Sequence, residues 1–312
     1  MWIRCNCVVP AGSREDLIPA WLAALEAQEE ISIENLELNS GTFAGLEWVG
    51  AHLEAQSPIS EPAGQRQWRS QLGARLSQAL EGKGPVAVSV LGDALAQKGA
   101  KLLVMDADST LFDCEVIEKV AAHAGTEAEV AAITTAAMRG ELDFTASLRH
   151  RMATLAGLPA TVLDEVRNDV NFHPGAAQLV HALHQSGAKV GVVSGGFVEI
   201  VEPKAIEIGL DHWVANRFEV KDGVLSGRPA GEIVTAEAKV RSLREWAAQI
   251  GAQPQQCVAM GDGANDIPMM RVAGLGIAFC AKPAVQEAAD CRLPFQNLAA
   301  AAILGGIYPR TD

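Results

Sequence analysis

Two aspartates one residue apart, Asp106 and Asp108, follow the run Lys101-Leu-Leu-Val-Met105. Far along the chain Gly261-Asp-Gly-Ala-Asn-Asp266 follows a similar apolar run, Val258-Ala-Met260. Between them, Val190-Gly-Val-Val-Ser-Gly-Gly196 ends a third apolar run in a hydroxyl and two flexible backbone donors. Acid groups at the ends of short β-like runs can converge on one metal ion, and carboxylate and carbonyl oxygens suit a hard cation such as Mg²⁺. Phosphate monoesters resist attack because the nucleophile meets negative oxygens, so their uncatalysed hydrolysis is among the slowest of reactions. A carboxylate can attack if a cation draws charge from those oxygens and a neighbouring acid protonates the leaving alkoxide. Asp106 as nucleophile and Asp108 as acid, then as base for water, fill those two roles.

Each segment also has a plainer reading. Asp-X-Asp by itself fits a calcium-like loop or a solvated turn. Asp262 is placed to bind metal, and Asp266 to ligate it or to hold a metal-bound water, whereas Asn265 either caps the next helix or positions substrate. The glycines flanking these groups let the backbone turn sharply. Ser194-Gly-Gly196 before the helical stretch from Val198 to Ile208 can cradle phosphate, and it is equally an ordinary turn. Lys239 falls in the early turns of a helical pattern from Thr235 to Ile250, where an exposed lysine would be unremarkable. Their joint occurrence in one chain favours a magnesium-dependent phosphoryl-transfer site.

The elements that must position these groups fall in two parts. From residue 100 onward, strand candidates at 101–105, 189–193, 257–260 and 275–279 alternate with helices. That pattern predicts a doubly wound α/β parallel sheet, whose ligands bind at the C-terminal ends of the strands. Consecutive helical patterns interrupt it over 115–172, a helical insertion long enough to roof the site. Arg217-Phe-Glu-Val, Lys221-Asp-Gly223 and Val224-Leu-Ser signal a short hairpin turned by the Asp-Gly step. Residues 1–92 differ: strands at Ile3–Val9, Ile31–Leu38 and Pro85–Leu91, helices at Leu17–Leu25 and Gln65–Leu80, and an ambiguous stretch from Phe43 to Ala55. A β-α-β-β-α-β order fits, a small ferredoxin-like α+β unit serving packing or homodimerisation, with ligand sensing as the alternative. The boundary is drawn at 92, leaving 93–312 for the larger unit.

The chain of 312 residues carries 25 basic and 38 acidic side chains, a formal charge of −13, and no basic run to neutralise nucleic-acid phosphates. A small anion still binds if a metal and one or two fixed cations offset the field locally. Six cysteines are scattered without disulfide-scaffold or zinc spacing, most beside apolar residues, which predicts buried thiols. The N-terminus lacks the apolar stretch of a secretion signal, and the longest apolar run near the C-terminus, Leu298–Tyr308, is well short of the roughly 20 residues that span a bilayer. A cytoplasmic protein without membrane partners is the expectation.

Taken together, Asp106-Ala-Asp-Ser-Thr110, Val193-Ser-Gly-Gly-Phe197, Lys239, Gly261-Asp-Gly-Ala-Asn-Asp266 and Ala278-Phe-Cys-Ala-Lys-Pro283 resemble the phosphoserine phosphatases of the haloacid dehalogenase-like superfamily. The likeness runs from about residue 101 to 303, with the four superfamily motifs in order. Further matches are Asp113-Cys-Glu115, Ala137-Met-Arg-Gly140, and Phe144 followed seven residues later by Arg151. Ala107 is smaller than the Met or Phe often found between the two aspartates. The N-terminal unit loosely resembles regulatory ACT-like domains.

The resemblance implies Mg²⁺-dependent hydrolysis of O-phospho-L-serine through an aspartyl-phosphate on Asp106, the last step of serine biosynthesis. It assigns the metal to Asp106, the Asp108 backbone carbonyl and Asp262, with Asp266 nearby. Ser194, Gly195 and Lys239 would hold the phosphoryl oxygens, with Asn265 beside them. Glu115 would take the substrate ammonium and Arg151 its carboxylate, while Met138 and Phe144 close the pocket. These roles make physical sense: a forked guanidinium suits a carboxylate, and Phe144 and Arg151, two helical turns apart, share one helix face. Singly, each would read as a solvated face or a core contact. Alternatives are a related phosphatase or phosphotransferase on another small phosphomonoester, and a serine-binding regulator. A haloalkanoic dehalogenase has no use for a second acid or a metal, and ATP-driven transport lacks its membrane spans.

Overall fold

The computed structural model describes residues 1–12, 16–57, 59–80, 84–138 and 143–309, and for residues 33, 34, 93 and 135–138 the backbone alone. The N-terminal part runs β1 (Trp2–Pro10), α1 (Leu17–Glu26), β2 (Ile31–Phe43), β3 (Leu46–Ala55), α2 (Pro62–Ala79) and β4 (Ala87–Leu91). Its antiparallel sheet has the order β2-β3-β1-β4, the arrangement expected of a β-α-β-β-α-β unit. In β1 the side chains of Ile3, Cys5, Cys7 and Val9 pack under α1 and α2 against Trp21, Trp68, Leu72 and Leu76. The alternate residues Asn6 and Val8 are buried too, because the opposite face of the sheet meets the rest of the molecule.

The ambiguous stretch from Phe43 to Ala55 resolves into the end of β2, a turn and the strand β3, which is paired on both sides, with β1 and with β2. Ala44 and Gly45, both at positive φ, make the two-residue turn that joins it to β2. The β2–β3 register breaks between Ser32 and Glu37.

A short helix α3 (Asp93–Ala96) leads into the second sheet: β5 (Leu102–Met105), β6 (Lys189–Phe197), β7 (His212–Asn216), β10 (Cys257–Gly261), β11 (Leu275–Phe279) and β12 (Cys291–Leu293). All its pairings are parallel, in the order β12-β11-β10-β5-β6-β7. Every residue of β5 is buried, as a strand covered on both faces requires. The chain passes from β5 to β6 on one side and later crosses back to β10 on the other, so the C-terminal end of β5 is the topological switch point where such sheets bind ligands. Helices α8 (Ala176–Gln185), α9 (Val198–Ile208), α10 (Ala236–Gln249), α11 (Ile267–Val272), α12 (Pro283–Ala288) and α13 (Ala300–Leu304) complete the layers. The hairpin forms as β8 (Phe218–Lys221) and β9 (Val224–Pro229), with Asp222 and Gly223 at positive φ in its turn.

The insertion consists of α4 (Val116–Ala124), α5 (Glu127–Met138), α6 (Phe144–Ala153) and α7 (Val162–Asp169). Its outgoing and returning connections meet in a bridge between Phe112 and Phe172. All six cysteines are free; Cys5, Cys7, Cys257 and Cys291 are buried as expected, whereas Cys114 is half-buried and Cys280 is exposed. No helix among the described residues is long and apolar enough to cross a membrane.

Candidate active site

Asp106 is the first residue beyond β5, and its Oδ1 accepts the Ala107 N–H at 2.8 Å. The five residues Ala107–Leu111 then coil tightly, with Ser109 in the left-handed region at φ 55°, which turns Asp108 back toward the same opening. The Asp108 Oδ1 accepts the N–H of Val116 at 3.3 Å, at the start of α4. The other Asp108 oxygen lies against Gly196, where a Cβ would stand 2.6 Å away. Thr110 is buried and donates its hydroxyl to Asp262 Oδ1 at 3.0 Å, while its carbonyl meets His173 Nδ1 at 2.9 Å. One coil after β5 thus aims two carboxylates and steadies a third.

Lys239, on α10, is fully buried, with Nζ 2.8 Å from Asp106 Oδ2 and 2.6 Å from Asp266 Oδ1. Burial disfavours its charge, but Asp106 and Asp266 outweigh that cost and hold the ammonium above its ordinary range. Burial and Asp106 push the Asp262 carboxyl up to about 6 and that of Asp266 up to about 7, the latter in spite of its ion pair with Lys239. Carboxylate oxygens of Asp106, Asp262 and Asp266 all lie within 4.8 Å of one another. One ammonium cannot balance three crowded carboxylates, and the donors are all hard oxygens. This set fits a divalent oxygen-seeking cation. The Asp108 carboxylate is not one of the trio, and burial followed by Glu115 and Asp106 raises its affinity for a proton.

Asp106, Asp108, Asp262 and Asn265 line one side of a cavity of about 1030 Å³, with Gly195 alongside. Glu115, Phe144 and Arg151 line the side formed by the insertion. Asp143 caps α6 by accepting the Ala146 N–H at 2.8 Å, which sets the helix so that Phe144 and Arg151 face the cavity together. Glu115 Oε1 accepts the Ser109 hydroxyl at 2.8 Å. Burial draws the Arg151 guanidinium down from its ordinary range, Glu115 acts against that, and Arg151 Nε is buried with no hydrogen-bond partner. Ser194, Lys239 and Asp266 stand just behind the cavity wall, all fully buried. Ser194 lies within β6 and not at its end, since the strand runs on to Phe197 beyond a break in its pairing with β7. The Ser194 Oγ accepts the Gly196 N–H at 2.8 Å. Met138 closes α5 with only its backbone described, and Arg139 and Gly140 lie outside the described residues.

The sequence profile of the haloacid dehalogenase-like hydrolases matches residues 103–271. The chain belongs to that family. A phosphoserine phosphatase of Mycobacterium tuberculosis is 51% identical over 222 residues, 71% of this chain and 54% of the relative. The chain therefore spans about half the length of the first curated relatives it matches. A phosphoserine phosphatase of Streptococcus thermophilus is 54% identical over 197 residues, 63% of this chain and 92% of that protein. The crystal structure of a probable phosphoserine phosphatase from Vibrio cholerae superposes with a TM-score of 0.70 at 29% identity, over 98% of this chain and 86% of that one.

Within this haloacid dehalogenase-like site, several residues escaped the sequence reading. Thr110 was quoted in the first motif without a role, yet it is the hydroxyl on Asp262. Lys282 stood likewise in the last motif, and it lines the cavity with Glu118 and Thr235. In the sequence only a hydroxyl two residues after Asp108 marks that position, which does not point to Asp262.

Proposed function

We propose that the chain hydrolyses O-phospho-L-serine to L-serine and phosphate, the last step of the phosphorylated serine route, in the cytoplasm and with Mg²⁺. The observation that carries this reading is the single cavity lined by Asp106, Asp108 and Asp262 and also by Glu115 and by Arg151, whose Nε has no hydrogen-bond partner. The ammonium and carboxylate of one small amino acid match Glu115 and Arg151 in sign, and its phosphate would meet positive charge from Lys239 and from the cation that the aspartates would hold. Residues 1–92 are read as a separate α+β unit, 93–312 as the phosphatase unit, and 115–172 as its cap.

The cation would be held by Asp106, Asp262, the Asp108 carbonyl and Asp266 or a water on it. When bound, it supplies positive charge to the phosphoryl oxygens. An Asp106 carboxylate oxygen attacks phosphorus, forming the acyl-phosphate bond as the bond from phosphorus to the serine oxygen breaks. The departing alkoxide takes its proton from Asp108, whose raised proton affinity suits an acid. Asp108, now ionised, removes a proton from water, and the resulting hydroxide attacks phosphorus and expels the Asp106 carboxylate. Phosphate leaves with both aspartates restored. Lys239, Ser194 and the Gly195 backbone hold phosphoryl oxygens throughout, Arg151 and Glu115 hold the amino-acid end, and Phe144 excludes bulk water.

Asp106→Asn removes the nucleophile and leaves the shape intact. Turnover of phosphoserine with Mg²⁺ should fall to background, while the variant still binds phosphate. Full turnover by the variant would refute the covalent route.

A further inference from the structure

The phosphate-side loop owes its shape to a break in the sheet. β6 and β7 pair in register as far as Ser194 with Ala215, and pairing resumes only at Phe197 with Asn216. Gly195 and Gly196 therefore bulge out of the ladder between Asp108 and Phe144. A bulged carbonyl loses its strand partner and must find another. Asn216, the last residue of β7 and only 1% exposed, meets that need: its Nδ2 donates to the Gly195 carbonyl at 2.7 Å. Its Oδ1 accepts the Val234 N–H at 2.8 Å, one residue before Thr235, the N-cap of α10. The helix so anchored carries Lys239. One buried amide thus joins the two segments that the proposed function assigns to the phosphoryl group. Beside it, Phe218 stacks on Phe197 at 3.8 Å between centroids, closing the far side of the loop.

We propose that Asn216 is a positioning residue, which fixes the spacing between the Ser194–Gly195 loop and the Lys239 helix and so sets the width of the phosphoryl pocket. It touches no substrate and acts through the Gly195 carbonyl and the Val234 N–H. The inference rests on the phosphatase reading given above. Its signature is selectivity: binding of the phosphate end should weaken while the amino-acid end, held by Glu115 and Arg151 on the cap, is left alone.

The test uses the full chain with Mg²⁺ and two variants. Asn216→Asp keeps shape and the acceptor for Val234 but loses the donor to Gly195; Asn216→Ala is neutral and loses both. Inhibition constants for inorganic phosphate and for L-serine are measured together with thermal melting. Loss of one buried hydrogen bond should weaken phosphate about tenfold in both variants, with serine changed less than about twofold. A phosphate constant within about twofold of the parent in Asn216→Ala overturns the proposal, as does weakening in Asn216→Asp alone, which would be a charge effect. Equal weakening toward phosphate and serine also overturns it, by showing general damage. Should Asn216→Ala fail to fold, Asn216→Ser, neutral and too short to reach either partner, takes its place under the same criteria: weakened phosphate with serine unchanged supports the proposal, and a phosphate constant within about twofold of the parent overturns it. Absence of phosphoserine turnover in the parent chain would instead refute the phosphatase reading and leave the Asn216 geometry untouched.

Discussion

Arg151 is where substrate choice should be decided. A half-buried guanidinium whose Nε is buried and unpartnered bears a desolvation cost that an arriving carboxylate would relieve. Glu115 attracts it but accepts no hydrogen bond from that nitrogen; its Oε1 accepts the Ser109 hydroxyl instead. Arg151→Ala should lower kcat/KM for phosphoserine on the order of a hundredfold or more, the value of two charge-assisted bonds. Hydrolysis of p-nitrophenyl phosphate, which has no carboxylate, should change by no more than about threefold on the same scale. A parallel fall with both substrates would mean that the arginine supports the fold and not recognition. At this scale the sequence was most informative where chemistry restricts residue type. Asp106, Asp108, Asp262 and Asp266 are each at a strand end or loop, in a spacing few other roles require. Thr110 and Asn216 were illegible because their value comes from a partner remote in the chain: Thr110 lies 152 residues from Asp262, and Asn216 lies 21 from Gly195. A hydroxyl or an amide by itself says nothing about such a partner.

Between elements, the helical insertion touches the phosphate-side loop directly. A Cβ on Gly195 would stand 2.8 Å from the tip of the Phe144 ring, so α6 rests on backbone that admits no side chain there. The other side of the insertion is tied to the β8–β9 hairpin through Gly157 N–H to the Leu225 carbonyl at 2.8 Å, Leu225 N–H to Leu158 at 2.8 Å and Ala160 N–H to Gly223 at 2.9 Å. The hairpin was legible from its Asp-Gly step, but its attachment to the cap was not, because backbone bonds between distant loops leave no residue signature. β7 and β12 were missed for a related reason: one is a half-exposed edge and the other is three residues long, so neither shows a run or an alternation to read. Gly195→Ala should wedge Phe144 aside and loosen the cap. In the parent chain, phosphate with Mg²⁺ should slow proteolysis within residues 115–172; in Gly195→Ala cleavage there should be several-fold faster, about what 1 kcal/mol of lost closure gives, and phosphate should no longer restore protection. Identical cleavage patterns would show that Phe144 moves without the cap.

Across the whole molecule, the four-stranded sheet is covered on both faces. Its own helices take one, and on the other Val8, Leu46, Trp48, Ala87 and Leu91 belong to the same apolar cluster as β5 and α13. Several polar groups are paired across that junction. Asn6 Nδ2 donates to the Ser89 hydroxyl at 3.1 Å, Ser89 donates to the Leu304 carbonyl at 2.8 Å, and Tyr308 donates to Asn6 Oδ1 at 2.6 Å. Arg66 grips Asp290 with Nε and Nη2 at 2.8 and 2.6 Å and reaches the Met270 carbonyl at 2.7 Å. A reading of residues 1–92 alone sees a unit with one apolar face for its own helices; the buried Asn6 and Ser89 on the other face look solvated until the partner surface is known. Such a junction should make the two sheets unfold as one cooperative unit. Gly50 tests this. Tyr308 stacks on Trp48 with centroids 4.5 Å apart, and its hydroxyl occupies the space that a methyl at Gly50 would need. Gly50→Ala must displace the ring, breaking the stack and the bond to Asn6, at a cost of about 2 kcal/mol. Calorimetry should show one transition in the parent chain, and in the variant that whole transition should fall by about 3 °C. Two resolved transitions, with only one moved by the substitution, would show instead that the N-terminal sheet melts independently of the sheet that carries Asp106.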